Sequence, residues 1–125
     1  MARAQRPVFL DPRHIRLPVG ALASIGHRIS GIVLAGSVPF AVYLLGLSLR
    51  DDRSYAEVAG LLHRVAFKPV VVVVVWAFAH HVLAGVRHLL SDFDIGSPLR
   101  VARRSAWFVN LAGVVLALLT VAAVL

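Results

Sequence analysis

The chain has 125 residues, of which 59% are hydrophobic and only 15% charged, with a mean hydropathy of +0.83. Soluble domains average about 45–50% apolar and about 25% charged residues, so the composition excludes a water-soluble globule and places the chain in a membrane. Lys and Arg number 13 against 6 Asp and Glu; nucleic acid is disfavoured as the partner of that excess, because a basic binding domain must be soluble enough to present its basic face.

Cysteine is absent, which removes disulfides, thiolate zinc sites and Cys-ligated iron–sulfur clusters within the chain. Any metal therefore rests on the six His. Residues 1–19 are broken by Arg3, Arg6, Arg13 and Arg16 and by Pro7, Pro12 and Pro18. They lack the continuous apolar run of a secretory signal and read as an aqueous segment leading to the membrane.

A hydrocarbon core about 30 Å thick needs about 20 helical residues, and three stretches supply them, at about 20–49, 69–90 and 106–125. The expected fold is an all-α integral membrane protein, with three transmembrane helices over residues 20–125 forming part of a heteromeric helix bundle. Arg50-Asp51-Asp52-Arg53-Ser54 closes the first span, and Asp92 to Pro98 supplies turn residues after the second. The intervening Tyr55 to Lys68, with Glu57, His63 and Arg64 among apolar residues, reads as a short interfacial helix.

Three spans put the termini on opposite sides. Arg3, Arg6, Arg13, Arg16, Arg28, Arg87, Arg100, Arg103 and Arg104 fall on one side, and Arg50, Arg53, Arg64 and Lys68 on the other. The positive-inside rule makes the N-terminal side cytoplasmic.

Polar groups within a span are expensive, and by default they face protein, cofactor or water. In the first span Ser24, Arg28, Gly31 and Ala35 fall at i, i+4, i+7 and i+11, on one helical face. Such a stripe suits helix packing through small residues, with Arg28 snorkelling to the headgroups. It equally suits a ligand pocket just inside the interface, in which Ser24 and Arg28 donate to a carbonyl or an anion, with His27 alongside. Pro39 is read as a tolerated kink.

In the second span His81, Gly85 and His88 again share a face at i, i+4 and i+7. His81 lies about 18 Å along the axis from Pro69 at 1.5 Å per residue, towards the cytoplasmic side. An imidazole there serves as a packing residue, a proton relay or an axial haem ligand. Gly85 removes a side chain that would meet a porphyrin edge, while Arg87, His88, Arg28 and His27 are placed to neutralise propionates. His80 points about 100° away from His81 and reads as an interhelical hydrogen-bonding residue. His14 and His63 read as interfacial or solvated. A second axial ligand, if His81 is the first, has to come from another polypeptide.

Arg6-Pro7-Val8-Phe9-Leu10, then Ile15-Arg16-Leu17-Pro18, then Ser24-Ile25-Gly26-His27-Arg28-Ile29-Ser30-Gly31 resemble the N-terminal signature of the cytochrome b subunit of succinate dehydrogenase, the larger membrane anchor of respiratory complex II. His81-x-x-x-Gly85-Val86-Arg87-His88-x-x-x-Asp92 resembles that family's second signature. The resemblance covers the whole chain. It implies that His81 is the axial ligand of a haem b shared with a second, smaller membrane anchor, which supplies the other His. It further implies that Ser24 and Arg28 line the pocket of ubiquinone or a related quinone, and that His27, Arg28 and His88 lie near the haem propionates. Asp92 is read as structural, and Gly26 departs from the aliphatic residue expected at its position.

No flavin or iron–sulfur chemistry fits a Cys-free anchor, so the resemblance implies an iron–sulfur subunit and a flavoprotein subunit as partners, besides membrane lipid. The expected activity is that of a non-autonomous subunit of succinate:quinone oxidoreductase, helping to pass electrons from the iron–sulfur subunit to quinone. The alternatives are a fumarate-reductase-type quinol-oxidising anchor and a small structural or transport subunit without haem. Because the resemblance begins near Arg6, with no Arg-rich leader before it, a bacterial cytoplasmic membrane is expected in preference to the mitochondrial inner membrane.

Overall fold

The computed structural model describes residues 17–125. Arg3, Arg6, Arg13, His14, Arg16 and the first part of the N-terminal signature lie outside the described residues. The described chain forms α1 (Val19–Ser48), α2 (Asp52–Leu62), a single 3-10 turn (Val65–Phe67), α3 (Lys68–Asp92) and α4 (Leu99–Val124). Of these, α1, α4 and the segment from the 3-10 turn through α3 are long and apolar enough to cross a membrane.

Proline sets the starts of the long helices. Pro18 and Pro98 stand immediately before α1 and α4, and Pro69 falls in the first turn of α3, where its missing N–H has no intrahelical partner to lose. Pro39 lies inside α1, which continues through it. The reversal between α3 and α4 passes through Asp94 at φ 58° and Gly96 at φ 82°, left-handed conformations that end α3 and aim the chain back at the bilayer.

Helix α4 starts at Leu99, earlier than hydropathy alone places the third span. Apolar character marks the depth of the hydrocarbon, but backbone hydrogen bonding carries the helix on through Arg104, Arg103 and Arg100 beyond it.

Helix α3 is central, packing against both α1 and α4. The buried residues are small: Ala23 and Ser30 of α1, Ala77 and Ala84 of α3, and Ala106 and Gly113 of α4, joined by Val109 and His80. Between bilayer-spanning helices there is little hydrophobic gain in contact, because lipid tails are as apolar as leucine. Association therefore depends on close approach, van der Waals packing and interhelical hydrogen bonds. Small residues spaced seven apart, as at 23 and 30, 77 and 84, and 106 and 113, repeat that close contact along each helix. The large apolar side chains, among them Ile32, Val42, Phe78 and Leu118, are exposed, as lipid-facing or partner-facing residues are.

Outside the spans, α2 buries Val58 and is capped by Asp51, whose carboxylate accepts from the Ser54 N–H at 2.7 Å. Arg53 pairs with Glu57 at 3.1 Å on its exposed face. The Ser54 bond holds the Asp51 carboxyl below its ordinary pKa. A carboxyl with a depressed folded-state pKa contributes stability above its unfolded value of about 3.9, and that contribution is lost as pH falls through the folded value. Hydrogen exchange at the first amides of α2 is expected to be constant above about pH 5 beyond its intrinsic pH dependence and to lose protection under stronger acid. In Asp51→Asn, which keeps a capping oxygen but has no charge to titrate, the acid-induced loss is expected to disappear.

Candidate functional site

Successive residues on a helix diverge by about 100°, so His80 and His81 meet different surroundings although each reaches a carbonyl of α1. His80 is 3% exposed and lies at the junction of α1, α3 and α4. Its Nε2 faces the Ala23 carbonyl oxygen at 3.4 Å, and since a carbonyl only accepts, Nε2 is the protonated nitrogen, donating a long hydrogen bond. Trp76, one turn earlier, stacks on the ring with centroids 5.6 Å apart.

Glycine makes room for this imidazole on two sides. A Cβ on Gly26 would come within 2.5 Å of His80 Nε2, and one on Gly113 within 3.2 Å of Nδ1. The glycine that departs from the aliphatic residue expected at position 26 is thus matched to His80: ring volume from α3 replaces side-chain volume from α1.

With His80 inward, His81 is half-buried on the flank of α1. Its Nδ1 lies 3.1 Å from the His27 carbonyl oxygen and 3.2 Å from Ser30 Oγ. The carbonyl again requires the proton to sit on Nδ1, which leaves the Nε2 of the neutral ring as a bare lone pair. Ser30, fully buried, donates to the same His27 carbonyl at 2.9 Å and can share the Nδ1 proton. A Cβ on Gly31 would meet His81 Cε1 at 3.1 Å, so Gly31 is what lets the ring lie against α1.

The His27 imidazole stacks on His81 with centroids 4.2 Å apart and planes 15° from parallel, and it stands 5.2 Å from the His88 ring. Stacking covers a face of His81 and leaves its in-plane Nε2 edge, where a metal would bind. A Cβ on Gly85 would lie 3.6 Å from His27 Nε2, an ordinary van der Waals contact, so Gly85 adjoins the His27 ring.

The structure thus brings His27, His81 and His88 together. Ser24, half-buried, and Arg28, exposed, occupy the adjoining flank of α1, and among the described residues neither side chain has a hydrogen-bond partner. Arg87 is not part of this group. It turns to α4, donating from Nε to Ser105 Oγ at 3.1 Å and from Nη2 to the Ala102 carbonyl at 3.4 Å. Asp92 is the exposed last residue of α3, and His63 is the exposed C-cap of α2. Sequence reasoning did not single out Ser30, although its place three residues after His27 puts it on the same helical face.

Among the described residues no three His, Cys, Asp or Glu side chains gather as a metal-binding group. A single well-oriented imidazole with a free in-plane nitrogen is instead what one axial position of a haem iron requires, and the residues present fit such a group.

Three helices long and apolar enough to cross a membrane, packed through small residues and carrying a cluster of histidines, define a multi-pass membrane protein. The sequence profile described as "Succinate dehydrogenase/Fumarate reductase transmembrane subunit" matches residues 2–120, and the chain belongs to that family. It is 37% identical over 107 residues to the succinate dehydrogenase cytochrome b556 subunit of Coxiella burnetii, covering 85% of this chain and 86% of the relative. It is 29% identical over 118 residues to the subunit of the same name from Paracoccus denitrificans, covering 94% and 91%. The subunit of that name from Rickettsia felis is 28% identical over 115 residues, with 92% and 90% covered.

The His80 pocket yields a size-exchange test. Gly26→Leu is expected to cost roughly 1–3 kcal/mol through overpacking against the ring, read as a lower thermal midpoint of the purified complex. His80→Ala in the same chain should recover most of that loss. Equal damage from Gly26→Leu whether or not His80 is present would mean that the two positions do not share the space.

Proposed function

We propose that this chain is the larger membrane anchor of a succinate:quinone oxidoreductase, in which His81 is an axial ligand of haem b and Ser24 and Arg28 form part of the quinone site. The observation that carries the haem reading is the Nδ1 contact of His81 with the His27 carbonyl. Donation from Nδ1–H to a backbone carbonyl fixes the tautomer and ring orientation of a ligating histidine and raises its basicity. The cytochrome b556 names of the relatives support the same cofactor. Bound haem b supplies one-electron chemistry at its iron.

A second ligand of such a haem would come from a second, small anchor subunit, because His80 is buried about 100° round α3 from His81 and turned to Ala23. His27, Arg28 and His88 would neutralise the propionates of such a haem. Iron–sulfur and flavoprotein subunits dock on the face to which Arg28, Arg87, Arg100, Arg103 and Arg104 belong, and the positive-inside rule makes that face cytoplasmic. The bacterial relatives favour the bacterial cytoplasmic membrane as its home.

Reduction of a quinone to a quinol takes up two electrons and two protons. Electrons arrive through the iron–sulfur subunit. Ser24 donates a hydrogen bond to a quinone oxygen, and Arg28 favours the negative charge that develops on it during reduction. Asp and Glu are absent from residues 20–49, 69–90 and 106–125, so the protons come from the aqueous side, by water or by partner residues.

A reduced-minus-oxidised spectrum of the purified complex is expected to show a b-type signal that His81→Ala abolishes; a signal indifferent to that substitution would sink the ligand assignment. Ser30→Ala is expected to keep the haem but shift its midpoint potential, because it removes a partner of Nδ1 while leaving Nε2 in place. An unchanged potential would make Ser30 a packing residue only. Ser24→Ala and Arg28→Leu should each lower quinone reduction by roughly tenfold or more, the scale set by a lost charge-assisted hydrogen bond. Succinate oxidation with an artificial acceptor should remain. Loss of both activities together would point to failed assembly.

A further inference from the structure

A second polar group within the bundle lies away from the histidine cluster. Between α3 and α4, at the end closed by the turn through Asp94 and Gly96, a cleft of about 360 Å³ is lined by Val86, Arg87, Leu90, Ile95, Val101 and Phe108 among others. Its walls are almost wholly apolar and its one charged group is Arg87. Two of the five guanidinium N–H donors are accepted by Ser105 Oγ and the Ala102 carbonyl. Both acceptors are neutral. Among the described residues no carboxylate pairs with Arg87.

Arg87 is half-buried, and α4 holds it at the head of the cleft rather than letting it extend to water. It lies about 28 Å along α3 from Lys68 at 1.5 Å per residue, close to the thickness of the hydrocarbon layer and hence at headgroup level. Arg104 stands one turn before Phe108 on the same helix and is exposed, as are Arg100 and Arg103. Asp92 and Asp94, the carboxylates of the adjoining turn, are likewise exposed and absent from the lining, which leaves Arg87 as the one charged group that lines the cleft.

We propose that this cleft binds one anionic phospholipid, its phosphate on Arg87 and an acyl chain lying against Val86, Leu90 and Phe108. A quinone headgroup is neutral and brings the guanidinium no charge. A phosphate supplies a negative charge that none of the described residues provides and accepts several of its donors at once, while the cleft takes up apolar chain. The bound lipid ties α3 to α4 where the backbone reverses, a role separate from any cofactor at His81.

The test is photo-crosslinking on the whole complex in nanodiscs, with a phosphatidylglycerol carrying a diazirine on one acyl chain. Labelling is expected in peptides containing Val86, Leu90 and Phe108, competed by unlabelled phosphatidylglycerol and not by phosphatidylcholine or ubiquinone. Arg87→Gln should reduce it by roughly tenfold, the scale of one charge-assisted contact. Val101→Trp, which fills the cleft from an exposed position and spares the Arg87 hydrogen bonds, should reduce it comparably in a complex whose size-exclusion profile is unchanged. Equal labelling by a phosphatidylcholine probe, indifference to both substitutions, competition by ubiquinone, or absence of labelling because a partner subunit covers the cleft would each overturn the proposal.

Discussion

Two imidazoles at adjacent positions on one helix must look in directions about 100° apart, and the arrangement of this bundle follows from which of them is buried. His80 is locked into the three-helix junction by the Ala23 carbonyl and by the space left at Gly26 and Gly113. That fixes the rotation of α3 about its own axis. Once α3 is so turned, His81 falls against Gly31 and Ser30, Ala77 and Ala84 face the neighbouring helices, and Arg87 is carried round to α4. In a medium where lipid competes on equal terms with apolar side chains, a buried polar contact distinguishes one rotation from another more sharply than apolar packing can.

The same medium explains why the surface is apolar and the core is small. In water this distribution would be inverted. Here the helices approach through Ala, Ser and Gly, and the large side chains are left to meet lipid or other subunits. The arrangement also separates two kinds of polar residue. Those within the bundle, His80 and Ser30, are satisfied by backbone carbonyls; those on its flank, Ser24 and Arg28, have no hydrogen-bond partner among the described residues. His27 belongs to both sets, since its carbonyl holds Ser30 and His81 while its ring lies between His81 and His88.

Much of this is legible in the sequence, and the limits have physical causes. The spans are visible because a 30 Å hydrocarbon layer demands long apolar runs, and α1 departs from its expected boundaries by one residue at each end. The start of α4 is less visible because hydropathy reports depth, and nothing in the Arg-rich stretch before Ala106 prevents a helix from continuing through it. The shared face of His81, Gly85 and His88 follows from periodicity alone. That the His27 ring adjoins Gly85 does not, since α1 supplies that ring. Arg87 is next to His88 in sequence and so invites assignment to the same site; the helical rotation between them, together with the acceptors that Ser105 and Ala102 provide, takes it elsewhere. The meaning of Gly26 was hidden for a like reason: a missing side chain on one helix can be explained only by the side chain on another that uses the room.

The histidine cluster also shows how neighbouring residues on one helix connect two pieces of chemistry. Arg28 follows His27 directly, so the backbone that presents a cation to the flank also presents the carbonyl that orients His81. A displacement of α1 at this level would move both together. Were Arg28 to bind an anion or a partially reduced carbonyl, the pull would be transmitted to the His27 carbonyl through a single peptide unit, which is stiff because it is planar. From there it reaches Nδ1 of His81 through one hydrogen bond. Coupling between the two positions therefore needs no long chain of contacts. It needs only that the helix stay intact from Ser24 to Gly31, and Ser30, buried and bonded to the same carbonyl, holds it so.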